Sequence, residues 1–282
     1  MSKILILGSS GQIGSYLVEH LEQRGHIVFE FDITRSSSED LRIVENNNLE
    51  KIMKDSDFVF FLAFDVGGSH YLEKYQDTSD FILNNLQLMT NTFSLLRKLE
   101  KKFIFASSTM SNMSHSTYGL LKAIGERTTK SLGGRVVHFW NIYGYEKDQA
   151  KFHVISDFIL KARETGKIEM RTSGKETREF LYAKDCSKGL ELIMDRFEQI
   201  PLDMPLHLTS FNSISIMEIA QIIAKNYDAE IIPGVKEDTV HRGVVNIPDK
   251  AILKFWKPET SIETGIKEII GKSESLHRIE QN

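Results

Sequence analysis

The chain of 282 residues has almost no cysteine, since Cys186 is the single one. One thiol excludes a disulfide within the chain and is typical of a reducing compartment. No Cys and His spacing resembles a zinc site, and the nine histidines are scattered. We therefore expect a cytoplasmic protein without a metal site.

Long apolar runs and clustered charge of one sign are also missing. The longest apolar run, Phe58 to Phe64, is far too short to span a bilayer. The first apolar run breaks at once into glycine, unlike a secretory signal. With a net charge of −4 and no basic stripe, neither nucleic acid nor an anionic membrane is an expected partner. Apolar residues make up 41% of the chain, enough for one large or two closely joined domains.

The first half of the chain alternates strand patterns with helix patterns. Compact apolar runs, which are typical of buried parallel strands, are separated by segments with helical apolar spacing. The predicted strands are residues 3–7, 27–31, 57–63, 103–106 and 135–141. This alternation predicts an α/β fold, a Rossmann-type doubly wound parallel sheet with helices on both faces. After residue 144 the pattern is looser, and Asp185 is expected to cap a helix that ends at Asp195.

A glycine turn follows the first predicted strand. Gly8, Gly11 and Gly14 lie in GSSGQIG, directly before a segment with helical spacing. Glycine lets the backbone approach a pyrophosphate, and the start of a helix offers unpaired N–H groups to that anion. The order of strand, glycine turn and helix predicts a dinucleotide site, although a plain turn is the alternative.

The second predicted strand ends in Asp32. A carboxylate there can bind both ribose hydroxyls of NAD and would repel the 2′-phosphate of NADP. The alternatives are a simple turn aspartate and, because Arg35 could meet a 2′-phosphate, NADP binding. We predict NAD as the cofactor, with NADP less favoured.

The stretch of residues 103–126 carries the predicted chemistry. Three hydroxyl residues at 107–109 follow a strand, and Tyr118 and Lys122 lie four residues apart, on one face of a predicted helix. A free tyrosine ionises near pH ~10, and a neighbouring cation lowers that pKa. We expect Lys122 to draw the pKa of Tyr118 toward neutrality, so that the phenol exchanges a proton with an alcohol or carbonyl. The alternative is a chance Tyr-x-x-x-Lys pair on a solvated helix.

Together these motifs resemble the extended short-chain dehydrogenase/reductase family, in its NAD-dependent nucleotide-sugar epimerase/dehydratase branch. The resemblance covers nearly the whole chain and rests on the order and spacing of motifs that are weak singly. The motifs are GSSGQIG, Asp32, FLA at 61–63, Asn85, FASST, YGLLK, WNIYG at 140–144, REFLYAKD at 178–185 and FWKPETSIETGI.

The resemblance implies a protein of two lobes. Residues 1–145 would form the Rossmann domain that holds NAD. Residues 146–282 would form a smaller C-terminal α/β lobe that binds a nucleotide-diphosphate sugar, with a segment of about 178–200 returning to the first domain. A homodimer through helices at 80–100 and 118–132 is also implied.

The resemblance further implies a role for each matching residue. Ser108 would orient a sugar oxygen, Tyr118 would exchange its proton, and Lys122 would tune Tyr118 and bind the nicotinamide ribose. On the substrate side, Asn141 would lie near the phosphates and Arg178 would meet the nucleotide. The implied cofactor contacts are Gly8, Gly11, Gln12, Ile13, Gly14, Asp32, Ala63, Tyr118 and Lys122.

The chain departs from this branch in the segment after Ser108. The loop from Ser108 to Tyr118 is short, and Thr109 and Met110 stand where dehydratases carry acidic residues. Dehydration needs its own acid and base. Dehydration and decarboxylation are therefore less favoured.

A narrower resemblance is to the GDP-fucose synthases, in DVGG at 65–68 and HVI at 153–155. In that group a cysteine and the histidine of HVI exchange protons beside a ketone. His153 matches the histidine, whereas Met110, whose thioether carries no proton, stands at the cysteine position. His153 is expected either to contact the substrate or to lie on a helix surface.

The predicted function is NAD-dependent epimerisation of a nucleotide-linked sugar, by hydride transfer that is most favoured at C4. The first alternative is an NAD(P)H-dependent reductase of 4-keto nucleotide sugars, which would use the same Ser108, Tyr118 and Lys122. The alternative of another class is a catalytically silent dinucleotide-binding sensor, which would need none of that proton chemistry.

Overall fold

The computed structural model describes residues 1–236 and 246–281, with side chains to residue 276 in the last helix. The strands are β1 Lys3–Leu7, β2 Ile27–Phe31, β3 Phe58–Phe61, β4 Lys102–Ser108, β5 Arg135–Phe139, β6 Ile142–Tyr143, β7 Lys167–Glu169, β8 Thr177–Glu179, β9 Leu181–Tyr182, β10 Leu206–Leu208, β11 Ser213–Ser215 and β12 Glu230–Ile232. The helices are α1 Gln12–Gln23, α2 Asn47–Asp55, α3 Ser69–Tyr75, α4 Ser79–Lys98, α5 Thr117–Ser131, α6 Val154–Thr165, α7 Ala183–Asp195, α8 Ile216–Tyr227 and α9 Ile262–Gln281.

The main sheet has six parallel strands in the order β10-β5-β4-β3-β1-β2. The predicted Rossmann-type parallel sheet is thereby confirmed. The chain runs from β1 outward to β2 and then crosses to β3 on the other side of β1. In such sheets a ligand binds beyond the carboxyl ends of the strands, at the point where the strand order reverses. A ligand site is therefore expected beyond the carboxyl ends of β1 and β3.

Both faces of this sheet are buried, which explains why its strands lack polar alternation. Along β1, Ile4 and Ile6 belong to one hydrophobic cluster, whereas Leu5 and Leu7 belong to the other. All four side chains are fully buried. A strand covered by helices on both faces has no solvent side and so reads as a continuous apolar run.

The last strand of the main sheet comes from the second half of the chain. β10 pairs with β5, with Leu206 opposite Val137, and so lies outside both residues 1–145 and the segment 178–200. Within that segment, α7 packs on α1, where Glu191 binds His20 at 2.8 Å. The division into two lobes near residue 145 stays a prediction.

The second half also forms three short strand pairs. β8 pairs antiparallel with β11, whereas β7 with β12 and β6 with β9 are parallel. One hydrophobic cluster runs from Ile6 in β1 through Leu190 in α7 to Ile266 in α9. The two halves therefore share a core.

Several predicted boundaries were wrong. β3 ends at Phe61 and β5 at Phe139, each two residues before its predicted end. α7 begins at Ala183 after the cap residue Tyr182, and the Asp185 carboxylate instead accepts the backbone N–H groups of Glu259 and Thr260, at 2.9 and 2.7 Å. β4 continues two residues past Ala106, to Ser108. The sheet ladder on β5 extends this strand, because it pairs residues that local composition assigns to a loop.

Within residues 1–236 and 246–281, no helix is long and apolar enough to cross a membrane. Over the same ranges, no three His, Cys, Asp or Glu side chains are arranged to hold a metal ion.

Candidate active site

A cleft of about 1660 Å³ lies along the carboxyl ends of the main-sheet strands. One wall follows the ends of β1 to β5, and the other comes from α6 and from the segments around β6, β7 and β8. The cleft brings together all the predicted site residues: Gly8, Gly11, Gln12, Ile13, Gly14, Asp32, Ala63, Ser108, Tyr118, Lys122, Asn141, His153 and Arg178.

The glycine turn after β1 is packed too closely for side chains at two of its three glycines. Gly8 has φ +87°, and a Cβ there would lie 2.7 Å from the backbone nitrogen of Ala63. A Cβ on Gly14 would collide with the carbonyl oxygen of Gly8. At Gly11 a Cβ would make only an ordinary contact of 3.4 Å with that oxygen. Packing within the chain therefore requires Gly8 and Gly14, whereas Gly11 leaves space on the cleft side.

The start of α1 fits the pyrophosphate of a dinucleotide. No side chain caps this helix at Gly11, and its first turn contains no acidic residue. The N–H groups of the first turn, at Gln12 and Ile13, therefore face the cleft without a competing acceptor in the described chain. The hydroxyl of Ser9 is buried in the same turn and has no hydrogen-bond partner among the described residues. A bound anion would satisfy these donors.

Asp32 is held beside this turn by its own neighbours. Its Oδ2 accepts the backbone N–H of Ser10 at 3.0 Å, and its Oδ1 accepts that of Thr34 at 2.9 Å. A carboxylate can accept more than one hydrogen bond at each oxygen. Asp32 can therefore keep both contacts while it accepts ribose hydroxyls.

Arg35, the residue that could have met a 2′-phosphate, is engaged by acidic residues. Its guanidinium lies 2.7 Å from the Glu30 carboxylate and 3.5 Å from that of Glu39. Together with Asp32, these carboxylates line this end of the cleft. The negative surroundings disfavour a further phosphate and agree with the choice of NAD.

Sequence analysis missed a second polar group at the same end of the cleft. Arg42 binds Asp40 at 2.8 Å and donates to the amide oxygen of Asn84 at 2.9 Å. The hydrogen bond from Arg42 holds the pKa of Asp40 below its ordinary value. Asp40 and Arg42 lie in a polar turn without periodicity, where the sequence carries no signal of a site, and Asn84 lies on α4.

Ser108 and Tyr118 meet at the end of β4. The Ser108 hydroxyl lies beside the phenol, where it opposes the rise in the pKa of Tyr118, and it accepts the N–H of Met110 at 3.2 Å. The hydroxyl of Ser107 is engaged elsewhere, because it donates to Glu126 at 2.5 Å. A side chain at Gly119 would collide with the carbonyl oxygen of Met110. Glycine at this position therefore lets α5 approach the turn after β4 and brings the phenol to Ser108.

Lys122 lies beside Tyr118 but does not engage its phenol. The ammonium donates to the carbonyl of Ala106 at 2.7 Å and lies 3.8 Å from the ring centroid of Phe64. Burial lowers the pKa of Lys122 to about 7, although the nearby charge of Glu126 opposes that shift.

The pKa of Tyr118 is raised to about 12 because its phenol is buried, and the hydrogen bond with Ser108 only partly opposes this. The prediction that Lys122 draws the pKa of Tyr118 toward neutrality was therefore wrong. The physical reason is that burial disfavours the charged form of both groups when no opposite charge contacts them.

The second wall of the cleft carries Asn141 and Arg178. Asn141 has φ +28° and joins β5 to β6; its amide donates to the carbonyl of Glu179 at 3.3 Å. Arg178 lies in β8 and donates to the carbonyl of Thr177 at 2.7 Å. Both side chains line the cleft. Their position opposite the glycine turn is where a second ligand beside the dinucleotide would lie.

His153 is the cap residue at the start of α6, and not a residue on a helix surface. Its Nδ1 lies 2.7 Å from Oε1 of Glu146, and its backbone N–H donates to Oε2 at 3.0 Å. The side chain of Glu146 is only 9% exposed. Sequence analysis missed Glu146, because an acidic residue in a short charged loop gives no signal of its own.

The ionisation of this pair is set by the mutual contact. Burial alone would lower the pKa of His153, but the charge and hydrogen bond of Glu146 outweigh it, so the pKa is raised. Burial alone would raise the pKa of Glu146, and the charge of His153 outweighs it in the same way, so that pKa is lowered. The pair is therefore stabilised as carboxylate and imidazolium.

A short loop after β3 connects the surroundings of Tyr118 with those of His153. The ring of Phe64 packs against that of Tyr118, with centroids 5.6 Å apart. Four residues on, the N–H of Gly68 donates to the carbonyl of Lys151 at 3.0 Å, and a side chain there would collide with the carbonyl of Phe152. The backbone at Gly68 thus closely approaches the segment that leads into α6. This approach brings His153 and Tyr118 into one cleft.

Comparisons with known proteins indicate the same family as the sequence motifs. A sequence model described as the NAD dependent epimerase/dehydratase family matches residues 4–204. The UDP-N-acetyl-alpha-D-glucosaminuronate decarboxylase of Bacillus cytotoxicus is 27% identical, over 95% of this chain and 96% of the relative. The GDP-mannose 3,5-epimerase 1 of Oryza sativa subsp. indica is 28% identical, over 94% of this chain and 80% of the relative.

Among solved structures, a GDP-6-OMe-4-keto-L-xylo-heptose reductase from C. jejuni superposes with a TM-score of 0.82. It is 18% identical, and the match covers 98% of each chain. At this identity the likeness establishes the fold, which is a Rossmann-like α/β structure.

Proposed function

This chain belongs to the NAD dependent epimerase/dehydratase family, and from that premise we propose that it transfers hydride at a nucleotide-linked sugar. NAD is the cofactor, as the sequence predicted. The observation that carries the proposal is the contact of Ser108 with Tyr118 at the end of β4, with buried Lys122 beside them. A serine hydroxyl, a phenol and a cation on the floor of one cleft suit proton exchange at a sugar oxygen.

In this proposal each residue has one task. Ser108 and Tyr118 hold the same sugar oxygen, and the phenol gives or takes its proton. Lys122 stabilises the phenolate that forms when the proton leaves, since a buried cation nearby favours the charged form. When bound, NAD accepts or returns the hydride at the sugar carbon.

The rest of the cleft would bind and orient the two ligands. The turn through Gly8, Gly11 and Gly14 would hold the pyrophosphate, and Asp32 the adenosine ribose. On the opposite wall, Asn141 and Arg178 would meet the nucleotide diphosphate, because a guanidinium binds two oxyanion oxygens at once.

The first candidate reaction is epimerisation at C4. Tyr118 would take the proton of the C4 hydroxyl, the keto-sugar would turn over in the cleft, and the proton and hydride would return to the other face. The cleft volume of about 1660 Å³ gives room for such a rotation. The cofactor would be regenerated within each turnover and could stay bound.

The second candidate is reduction of a 4-keto nucleotide sugar, and one observation favours it. Because burial raises the pKa of Tyr118 to about 12, the phenol is protonated at neutral pH. That is the state needed to give a proton to a carbonyl oxygen, whereas an epimerase needs the phenolate first. A reductase would exchange its cofactor after each turnover.

Decarboxylation and dehydration are not part of the proposal, although several relatives are named as decarboxylases. The turn Thr109–Asn112, which follows Ser108 at the cleft, contains no acidic residue. A second acid or base for the loss of water is therefore missing at that position.

We also propose a cytoplasmic homodimer through α4 and α5. Leu83 on α4 is 61% exposed, and Leu120 and Ile124, one turn apart on α5, are 48% and 50% exposed. Apolar side chains on two packed helices suit burial against a second copy. Light scattering should give twice the chain mass at micromolar concentration, and a Leu120→Glu variant should be monomeric. A wild-type monomer would contradict the dimer.

The experiment that tests the proposal is identification of the nucleotide released when the purified protein is denatured. Stoichiometric NAD would favour the epimerase, and turnover of UDP-glucose or GDP-mannose would then be measured. An empty protein would favour the reductase, and NADH and NADPH oxidation would be followed with 4-keto nucleotide sugars. If neither cofactor binds, the proposal fails; binding without turnover would favour the silent sensor.

A further inference from the structure

Glu146 uses both of its carboxylate oxygens on one residue. One oxygen accepts the backbone N–H of His153, at the start of α6, and the other contacts the ring Nδ1 at 2.7 Å. The hydroxyl of Ser156, in the first turn of α6, lies beside this carboxylate and contributes to its lowered pKa. A helix cap needs only the backbone contact. The second contact fixes the imidazole as well.

The other ionisable groups around the ring have partners of their own. Lys151 and Tyr71 both bind Asp65, and Lys161 binds Asp157. None of these, nor the nearby His70, Lys147 and Asp148 that also line the cleft, forms an ion pair or hydrogen bond with His153 in the described chain. The charge of the imidazole therefore depends on Glu146.

With Nδ1 engaged, the nitrogen left for a ligand is Nε2. The His153 side chain is 41% exposed and lines the cleft, whereas Glu146 behind it is buried. Phe64, whose ring packs on Tyr118, and Gly68, whose backbone bonds to that of Lys151 near His153, belong to one short loop. Tyr118 and His153 line the same cleft, so a ligand that extends along the cleft from Tyr118 runs toward this ring.

We propose that Glu146 is a positioning residue that presents His153 Nε2–H to the cleft as a cationic hydrogen-bond donor for an oxygen of the nucleotide-linked sugar. This inference rests on the proposed function for the identity of the ligand. In this inference Glu146 keeps the imidazole charged and correctly oriented, and His153 contacts the sugar oxygen.

The chain itself offers a matched control. Glu191 also contacts a histidine, His20, at 2.8 Å, between α1 and α7, and neither residue lines the cleft. Glu191→Gln therefore removes the same kind of charge from His20, and also from its further partners Arg24 and His26, none of which lines the cleft. Glu146→Asp keeps the charge at the site and should retain the wild-type behaviour in part.

The experiment measures binding of UDP-glucose and GDP-mannose to the NAD-loaded protein by calorimetry from pH 5.5 to 9, with NMR titration of the imidazoles alongside. In wild type, affinity should fall as the pH rises through the raised pKa of His153, because the donor loses its charge. In Glu146→Gln that pKa should fall toward the ordinary value near 6.5. Affinity at pH 7.5 should then be about tenfold weaker, with little change at pH 5.5.

The outcomes separate this inference from the proposed function, because binding requires no turnover. A shift of the affinity curve in Glu146→Gln, absent in Glu191→Gln and abolished in His153→Gln, would support the positioning role even if no product forms. An imidazole pKa that falls without a shift in affinity would overturn it. An unchanged pKa, or no binding of either probe to wild type, would overturn it as well.

Discussion

Two ionisable pairs line the same cleft and respond to burial in opposite ways. Tyr118 and Lys122 both move toward their neutral forms, with pKa values of about 12 and about 7. Glu146 and His153 both move toward their charged forms. The difference lies in direct contact. The carboxylate touches the imidazole at 2.7 Å, whereas Lys122 gives its hydrogen bond to the carbonyl of Ala106.

The comparison shows that a shared helix face does not by itself couple two charges. Residues four apart are neighbours, but a long lysine side chain binds whichever acceptor it reaches. Burial without a counter-charge favours neutral groups, and burial with one favours an ion pair. The cleft thus contains one pair that burial moves toward its neutral forms and one pair that mutual contact moves toward its charged forms, and the following predictions test that contrast.

The largest expected effect is that of Tyr118→Phe, which removes the proton donor and leaves the ring. Turnover should fall by about 10²–10⁴-fold, the usual contribution of a positioned acid or base. Binding of NAD and of the nucleotide sugar should change little. Ser107→Ala is the control, because that hydroxyl donates to Glu126 and not to the phenol. Undiminished turnover would remove Tyr118 from the mechanism.

A smaller effect is expected from alanine substitutions in the glycine turn, where Gly11 and Gly14 should respond differently. Gly11→Ala fits the chain, so stability should be unchanged, but its methyl group would occupy the space of the pyrophosphate and weaken NAD binding by at least about tenfold. Gly14→Ala collides with the carbonyl of Gly8 and should cost about 1–3 kcal/mol of unfolding free energy. Calorimetry and urea unfolding measure both. Equal NAD affinity in Gly11→Ala and wild type would exclude the turn as the pyrophosphate site.

Lys122→Met tests, through the free energy of unfolding, whether burial lowers the pKa of Lys122. The folded pKa of Lys122, about 7, lies below the ordinary value near 10.4, so the unfolded chain binds more protons between these values. Unfolding free energy should therefore rise from pH 7 to pH 9.5 in wild type, and this rise should shrink in Lys122→Met. Urea unfolding at several pH values measures it. An identical slope in both proteins would contradict a buried, destabilised ammonium.

Glu146→Gln should show the opposite pH dependence, with the smallest effect. A histidine with a raised pKa contributes stability that is fully present below its ordinary pKa and is lost as the pH rises through the folded value. The variant should be less stable than wild type by about 1 kcal/mol near pH 6, and the difference should shrink by pH 9. The same unfolding series measures it. A deficit that grows with pH would contradict the ion pair.

Much of the site could be predicted because its signals are local. Gly8, Gly11 and Gly14 lie within seven residues, between a strand and a helix, and the order of these elements carries the prediction. Asp32 ends the adjacent strand of a parallel sheet, and such ends meet at one edge. Tyr118 and Lys122 are fixed by helical spacing. Each inference needs only the geometry of one or two elements.

Other features depended on contacts between distant segments. The choice between Ser107 and Ser108 depends on Glu126, which binds one hydroxyl and leaves the other to Tyr118. β10 joins β5 across some seventy residues of chain, and no local pattern indicates that pairing.

The sequence by itself determined the class of the molecule, its glycine turn and many of the residues that line its cleft, because periodicity and glycine placement act over short distances. Only the tertiary structure decided the charge of those residues. A pKa depends on burial and on which group lies within a few ångströms, and both are set by the packing of separate elements. The pKa of Tyr118 is therefore raised by burial, whereas that of His153 is raised because the fold places Glu146 behind it.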